Sequence, residues 1–313
     1  MVRILSSADT ADLIDLPSAM ACLERAHLEQ ARGSIAAWPP SLMRSGSALL
    51  ILRSGGMAEQ ARYGVRVTTG PQNPSYALIY ESPSGRLLSF MAYPFSDLRL
   101  AASVALGVGR LAPPEVRRLA LLGSGRLAPG VLEAVHHARP FESLAVYSPT
   151  KEHREGFAAE AGARLGVSAE AADDPRQAVE EADAVLVVTN SATPALQGAW
   201  LKPATFVAGV GARTELDDEV FLRASLIVTT AKAQEMNVHD SSSDWPLVRL
   251  TQDGRLDWDC VAELGAVLAG RIARPEGITV FRDAQGGFSD VALAALAYER
   301  AVALGRGAEH DVS

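Results

Sequence analysis

Cysteine is nearly absent from this sequence. Its 313 residues include two, Cys22 and Cys260, too few and too far apart for a disulfide framework or a CxxC metal site. Both are expected to be buried thiols in a reducing compartment. Basic residues are in deficit, 29 against 37 acidic ones, and the formal net charge of −8 argues against nucleic-acid binding through a general positive field. No stretch approaches the roughly 20 consecutive apolar residues that a bilayer span requires. The first residues, Met1-Val2-Arg3-Ile4-Leu5-Ser6-Ser7-Ala8-Asp9, break their apolar run early and turn acidic, unlike a secretory leader. A cytoplasmic protein without membrane or nucleic-acid partners is expected. Internal repeats and low-complexity tracts are also missing, and Ser241-Ser242-Ser243 is read as a short loop. What is present is core: 48% of residues are hydrophobic and 21% charged, which excludes a disordered chain. At about 150 residues per domain, the length suggests two domains.

The chain changes rhythm about a third of the way along. Ser47–Leu52, Tyr63–Thr69, Tyr76–Tyr80 and Leu87–Ala92 are strand-like, with Pro83-Ser84-Gly85 as a turn, so an antiparallel meander is expected. Ahead of it, Pro17–Arg32 has helical spacing, with Ala19, Leu23, Ala26 and Ala31 on or near one face. From about Arg117, apolar runs alternate with helical stretches. The runs are Leu119–Leu122, Leu144–Tyr147, Ala184–Val188, Phe206–Val210 and Leu226–Val228, and helices are expected up to Ala138 and over Lys151–Leu165. Continuous apolar strands of this kind belong to a parallel sheet covered on both faces. A last run, Ile278–Phe281, precedes a helix over Ser289–Leu304.

The chemistry is most legible at Gly123-Ser124-Gly125-Arg126-Leu127-Ala128, where a buried strand runs through GxGxxA into a helix. Gly123 permits the tight turn, the missing Cβ of Gly125 lets a pyrophosphate reach the backbone, and Ala128 is small enough for close packing. Free N–H groups and the positive end of the helix dipole then bind phosphate. Pro129 fits the first helical turn, where its missing N–H has no partner to lose. A glycine turn can also be merely structural; the strand, helix and second strand at proper distances favour dinucleotide binding. An NAD site usually places an acid at the end of that second strand. Here Ser148-Pro149-Thr150-Lys151 follows, so Ser148, Thr150 and Lys151 are candidate 2′-phosphate contacts and NADP(H) is favoured over NAD(H), unless Lys151 is simply solvated. Thr189, Asn190, Val210 and Gly211, at the ends of later strands, are expected to complete the cofactor site.

Taken in order, the motifs resemble the ornithine cyclodeaminase/mu-crystallin family over nearly the whole chain. The matching pieces are Val65–Pro74, Asp97–Ser103, the glycine loop, Trp200-Leu201-Lys202-Pro203, Val210-Gly211, Thr214-Glu215-Leu216-Asp217, Glu263–Arg271 and Asp290 through Ala301. The resemblance implies an α/β fold in a homodimer. Residues 113–289 would form a Rossmann-type parallel-sheet domain. Residues 1–112 with 290–313 would form an α+β substrate-binding and dimerisation domain, built from the meander and the C-terminal helix. It also implies hydride transfer between nicotinamide and the Cα of an amino acid or imine.

The departures narrow this expectation. The family's substrate lysine is Arg66 here, which keeps the charge and grips a carboxylate through two bonds but does not shuttle protons. An upstream family arginine falls near Trp38-Pro39-Pro40-Ser41, where none stands, although Arg44 is close; Arg99 is retained but is followed by Leu100. The loop expected after Gly211, with its aspartate, is missing; Glu215 is more readily structural, and Asp283 is a candidate replacement acid. A protonated imine already carries an electrophilic carbon, whereas cyclodeamination also needs an amine oxidised and ammonia expelled. An NADP-dependent imine reductase or amino acid dehydrogenase is therefore favoured, with Arg66 and Arg99 anchoring a carboxylate-bearing amine or imine. The alternatives are an ornithine- or lysine-type cyclodeaminase with catalytic NAD, and a catalytically silent, crystallin-like NADP binder. For Arg66 the plain alternative is a surface cross-strand charge, and for Arg99 an ion pair with Asp97. The histidines, among them His27, His136, His137, His153 and His239, show no metal spacing, and no metal is expected.

Overall fold

The computed structural model describes residues 1–70, 75–211, 213–236 and 245–311. The Pro71–Pro74 part of the family match, Ala212, His239 and the Ser241–Ser243 loop lie outside the described residues. The chain divides into two compact units, Met1–Ala102 with Gln285–Ser313, and Ser103–Ala284.

The first unit is a seven-stranded sheet. Its strands β1 (Val2–Leu5), β2 (Ile35–Ser45), β3 (Ala48–Met57), β4 (Arg62–Thr69), β5 (Ser75–Glu81) and β6 (Leu87–Ala92) are joined by a last strand, Ala308–His310. From β2 to β6 each strand pairs antiparallel with the next, as the alternating sequence leads one to expect. The sequence did not announce β2, because Pro39 and Pro40 sit inside it. It lies at the sheet edge with a register shift between Trp38 and Ser41, where a missing backbone donor is tolerated. The helix Gly287–Ala303 packs on one sheet face, its first residues buried on all sides. Its approach is close: a Cβ on Gly55 would run into the Phe288 backbone, and one on Gly287 into the Ser54 backbone. The helix Leu16–Ala31 starts on Asp15, whose side chain accepts from Ser18 N, and it buries Ala19, Leu23 and Ala26.

The second unit carries β7 (Arg118–Leu122), β8 (Ser143–Tyr147), β9 (Ser168–Ala171), β10 (Ala184–Val187), β11 (Phe206–Gly209), β12 (Leu226–Thr229), β13 (Val261–Glu263) and β14 (Thr279–Arg282). They form one all-parallel sheet in the order β13-β12-β14-β11-β10-β7-β8-β9. The short strands β9 and β13 carry too few apolar residues to show in the pattern. Every residue of β10, β11 and β14 is buried; β10 and β11 are accordingly apolar without alternation, and in β14 the buried Arg282 lies against the Glu215 carboxylate. The strand order reverses direction at the β7/β10 boundary, the place where sheets of this type open a crevice at their carboxyl ends. One expectation fails: Cys22 is buried, but Cys260, in a short helical turn ahead of β13, is exposed.

Candidate functional site

A cavity of about 910 Å³ opens in the second unit at that crevice. Its walls are the ends of neighbouring strands: Gly123–Leu127 after β7, Ser148–Thr150 after β8, Val188–Ser191 after β10, and Gly211 after β11. Each wall follows from local chemistry. Gly123 has φ +106°, and an added Cβ would strike the Val188 carbonyl, so only glycine fits the turn. Its N–H donates to the Tyr147 carbonyl (2.8 Å), tying the first turn to the end of β8. Gly125 differs, since nothing lies within 4 Å of its would-be Cβ. Its bareness is therefore available to a ligand rather than required by packing. The helix Ala128–Ala138 follows directly, with Pro129 in its first turn. Ser124 Oγ donates to Ser148 Oγ (3.0 Å) across the two strand ends.

The floor is held by Glu215. This buried carboxylate accepts from Gly211 N (2.9 Å), Thr189 N (3.2 Å) and Thr189 Oγ1 (3.2 Å), so it joins the turns after β10 and β11. Burial pushes its pKa up to about 7, against the pull of the Arg282 guanidinium and of these donors. Glu215 thus has the structural place that the sequence favoured for it. Asp283, buried at the end of β14, accepts from Thr230 Oγ1 (3.1 Å).

Of the expected nucleotide contacts, Gly123, Ser124, Gly125, Arg126, Leu127, Ser148, Thr150, Thr189, Asn190 and Gly211 line the cavity. Ala128 and Val210 are buried beneath it. Lys151 does not line it; its exposed ammonium lies 3.7 Å from Glu155 in the next helical turn. His153, two residues further on, does line it, and so does Trp200. The first-turn position of His153 was the available signal, but the sequence favoured a solvated or capping role for that histidine over a metal or catalytic one. No Asp or Glu is among the described residues that line the cavity, while Arg126 and His153 are.

The first unit holds a buried charge cluster. Arg66 on β4 points its Nη1 at both oxygens of Asp290, each at 3.3 Å, and donates from Nη2 to Ser75 Oγ (3.1 Å). Arg99 Nε lies 3.1 Å from Asp290 Oδ1, and the Tyr93 hydroxyl donates to the same oxygen (3.0 Å). The Arg66 guanidinium stacks over the Tyr93 ring at 4.9 Å. Burial, then the Asp290 charge, holds the Tyr93 phenol well above its usual range, so it stays a donor. Arg66 is 7% exposed and Arg99 2%, so neither is a surface charge. One carboxylate does not answer every donor: Arg66 Nε is buried without a hydrogen-bond partner among the described residues. The structure thus brings Arg66 and Arg99 together, and it adds Asp290 and Tyr93, to which the sequence assigned no role. Asp283 belongs to the other unit.

A glycine loop between strand and helix, at the reversal point of an all-parallel sheet, defines a Rossmann-type nucleotide-binding protein. More specifically, the chain belongs to the ornithine cyclodeaminase/mu-crystallin family, whose model matches residues 27–305. An NAD(P)H-dependent anabolic L-arginine dehydrogenase of Pseudomonas aeruginosa is 29% identical over 253 residues, 78% of this chain and 79% of the relative. The ketimine reductase mu-crystallin of Mus musculus is 29% identical over 238 residues, 74% of this chain and 71% of its own. Among solved structures, the Thermococcus litoralis Δ1-pyrroline-2-carboxylate reductase in complex with NADH and L-proline is 25% identical. It aligns over 99% of this chain and 100% of its own, with a TM-score of 0.85.

Proposed function

We propose that this protein is an NADP(H)-dependent oxidoreductase acting on the C–N bond of a carboxylate-bearing imine or amino acid. The observation that carries the reading is the pairing of two features: a phosphate-ready glycine loop, bare at Gly125, and a buried arginine pair with a donor still unanswered. The relatives' chemistry supports it, since the three proteins compared are a dehydrogenase and two reductases of C–N bonds. A bound nicotinamide would supply or accept the hydride. The chain's own tasks are then to seat the nucleotide, anchor the acceptor and keep its carbon oriented. Gly123–Ala128 would take the diphosphate, with Thr189, Asn190, Val210 and Gly211 shaping the remainder of the cleft. Arg66 and Arg99 would hold the acceptor's carboxylate, and Asp290 keeps both guanidiniums in position.

The preference for NADP(H) rests on the absence of a carboxylate among the described residues of the cavity wall, where one would bind a ribose 2′-hydroxyl and repel a 2′-phosphate. Ser148 and Thr150 supply hydroxyls there, Arg126 supplies a positive charge and His153 ring N–H donors, all lining the cavity where Lys151 does not. Reduction is favoured over cyclodeamination because arginine stays protonated and takes no part in proton transfer, whereas a protonated imine brings its own proton. Residues 1–112 and 290–313 would serve as the substrate-binding and dimerisation domain, and 113–289 as the dinucleotide domain. We place the protein in the cytoplasm, where reduced nicotinamide nucleotides are made and used; among the described residues, no helix is long and apolar enough to cross a membrane.

The test is turnover. Stoichiometric NADPH oxidation with Δ1-pyrroline-2-carboxylate or a related cyclic imino acid is expected. Ammonia release from ornithine or lysine with catalytic NAD would replace this reading with the lyase. Tight NADPH binding without turnover of any imine or keto acid would replace it with a silent binder.

A further inference from the structure

We infer that Arg154 is a positioning residue for cofactor choice: from behind the cleft wall it fixes Ser148 and neutralises the Asp173 carboxylate, so that the wall accepts a 2′-phosphate. The inference rests on the NADP(H) reading above. The helix Lys151–Leu165 turns Arg154, Ala158 and Ala161 inward, one face at helical spacing. Two of the three are alanines, but the first is an arginine only 8% exposed. A buried guanidinium is costly unless it is paired and hydrogen-bonded, and Arg154 Nε is buried without a hydrogen-bond partner among the described residues. An apolar side chain would serve the packing alone, so the charge has another purpose.

Its contacts supply that purpose. Arg154 donates from Nη1 to the Ser148 carbonyl (3.3 Å) and from Nη2 to Asp173 Oδ1 (3.0 Å). The same guanidinium lies 6.0 Å from the centre of the Tyr147 ring. Arg154 does not line the cavity itself, whereas Tyr147, Ser148, Thr150 and Pro175 do. It therefore ties the end of β8 to the turn after β9 from the far side of that wall. Ser148 is fixed twice, its Oγ accepting from Ser124 Oγ and its carbonyl from Arg154. The end of this strand is where a Rossmann site meets the ribose 2′ position. Asp173 stands two residues before Pro175 with its side chain 88% exposed, while the neighbouring Asp174 accepts from Gln177 N at the start of the next helix. Left alone, the Asp173 charge would repel a 2′-phosphate; paired with Arg154, the two carry no net charge.

The experiment measures the dissociation constants of NADPH and NADH, from the fluorescence of the reduced nicotinamide. The variants are Arg154→Ala, Arg154→Lys, Asp173→Asn and the double variant Arg154→Ala with Asp173→Asn. Arg154→Ala is expected to weaken NADPH by about tenfold, the size of one charge-assisted hydrogen bond, and NADH by no more than about threefold. Asp173→Asn alone should move neither constant by more than about twofold, because that charge is already answered. In the Arg154→Ala background the same substitution should recover at least about threefold in NADPH, the coupling that a double-mutant cycle reads. Arg154→Lys returns the charge without the two-pronged contact, so its NADPH constant should fall between those of Arg154→Ala and the native protein. It carries the test if Arg154→Ala does not fold. An unchanged ratio of the two constants in Arg154→Ala, or a double variant no better than Arg154→Ala, would make Arg154 a structural clamp and end the inference, with the NADP(H) reading untouched. A native protein that prefers NADH would remove that reading and the inference together.

Discussion

Arg66 and Asp290 stand 224 positions apart in the chain and meet squarely, Arg66 Nη1 lying 3.3 Å from each carboxylate oxygen. Tyr93 and Arg99 close on the same carboxylate from other directions. Removing Asp290 would leave two buried guanidiniums without their shared counter-charge. Asp290→Ala is expected to lower stability by about 3–5 kcal/mol, read from urea unfolding. A loss below about 1 kcal/mol would show that the cluster is solvated rather than buried.

The arginines themselves separate acceptor from cofactor. Arg66→Ala and Arg99→Ala should each raise KM for a carboxylate-bearing acceptor by about tenfold or more, with the dissociation constant of NADPH nearly unchanged. Equal loss of both affinities would count against the assignment.

The two loop glycines should fail in different ways. Gly125→Val meets open space, so the protein should fold with near-native stability and lose nucleotide binding. Gly123→Val combines φ +106° with a collision at Val188, and it should destabilise the fold by several kcal/mol. Fluorescence of reduced nicotinamide and a melting curve, measured on both variants, distinguish them. A Gly125→Val protein that still binds NADPH would remove the basis for the nucleotide site.

Cofactor choice is expected to reside in Arg126 and His153. Arg126→Ala and His153→Ala should each weaken NADPH by about tenfold and leave NADH within a factor of about two, since only NADPH carries the extra phosphate. Lys151→Ala should change neither. A native protein that prefers NADH would overturn the NADP assignment outright.

Glu215 makes a prediction about pH. Its folded-state pKa of about 7 lies above its ordinary 4.5, so the folded protein holds this proton more tightly than the unfolded chain does. Stability from this group is fully present below pH 4.5 and is lost as pH rises to about 7, a swing on the order of 3 kcal/mol. Glu215→Gln, which cannot titrate, should flatten that part of the stability curve. A native curve that rises with pH across the same window relative to the variant would falsify the assignment.

The outer sheet face of the first unit exposes Tyr63, Tyr76 and Phe90, and Trp38 on β2 is 75% exposed. We propose that this apolar surface is where two copies of the chain meet. A homodimer is expected by light scattering, and Phe90→Asp with Tyr76→Asp should shift it to monomer. A native monomer at micromolar concentration would contradict the dimer.

What the sequence determined by itself is whatever is encoded between near neighbours. The apolar runs from Leu119 to Phe281 required a parallel sheet, because strands buried on both faces have no polar side to alternate. Gly123 announced its turn because only glycine tolerates that backbone, a φ of +106°. The Lys151–Leu165 helix and the meander from β3 to β6 were equally local. Tertiary structure decided the rest, through contacts that no short window contains. It admitted Pro39 and Pro40 to a strand by placing that strand at an edge, and it left Cys260 exposed where composition suggested burial. It gave Glu215 its place under the cleft, and it brought His153 rather than Lys151 to the cavity wall. It also joined Asp290 to Arg66 and Arg99: a buried charge must find its counter-charge wherever the fold puts one, and distance along the chain has no bearing on that requirement.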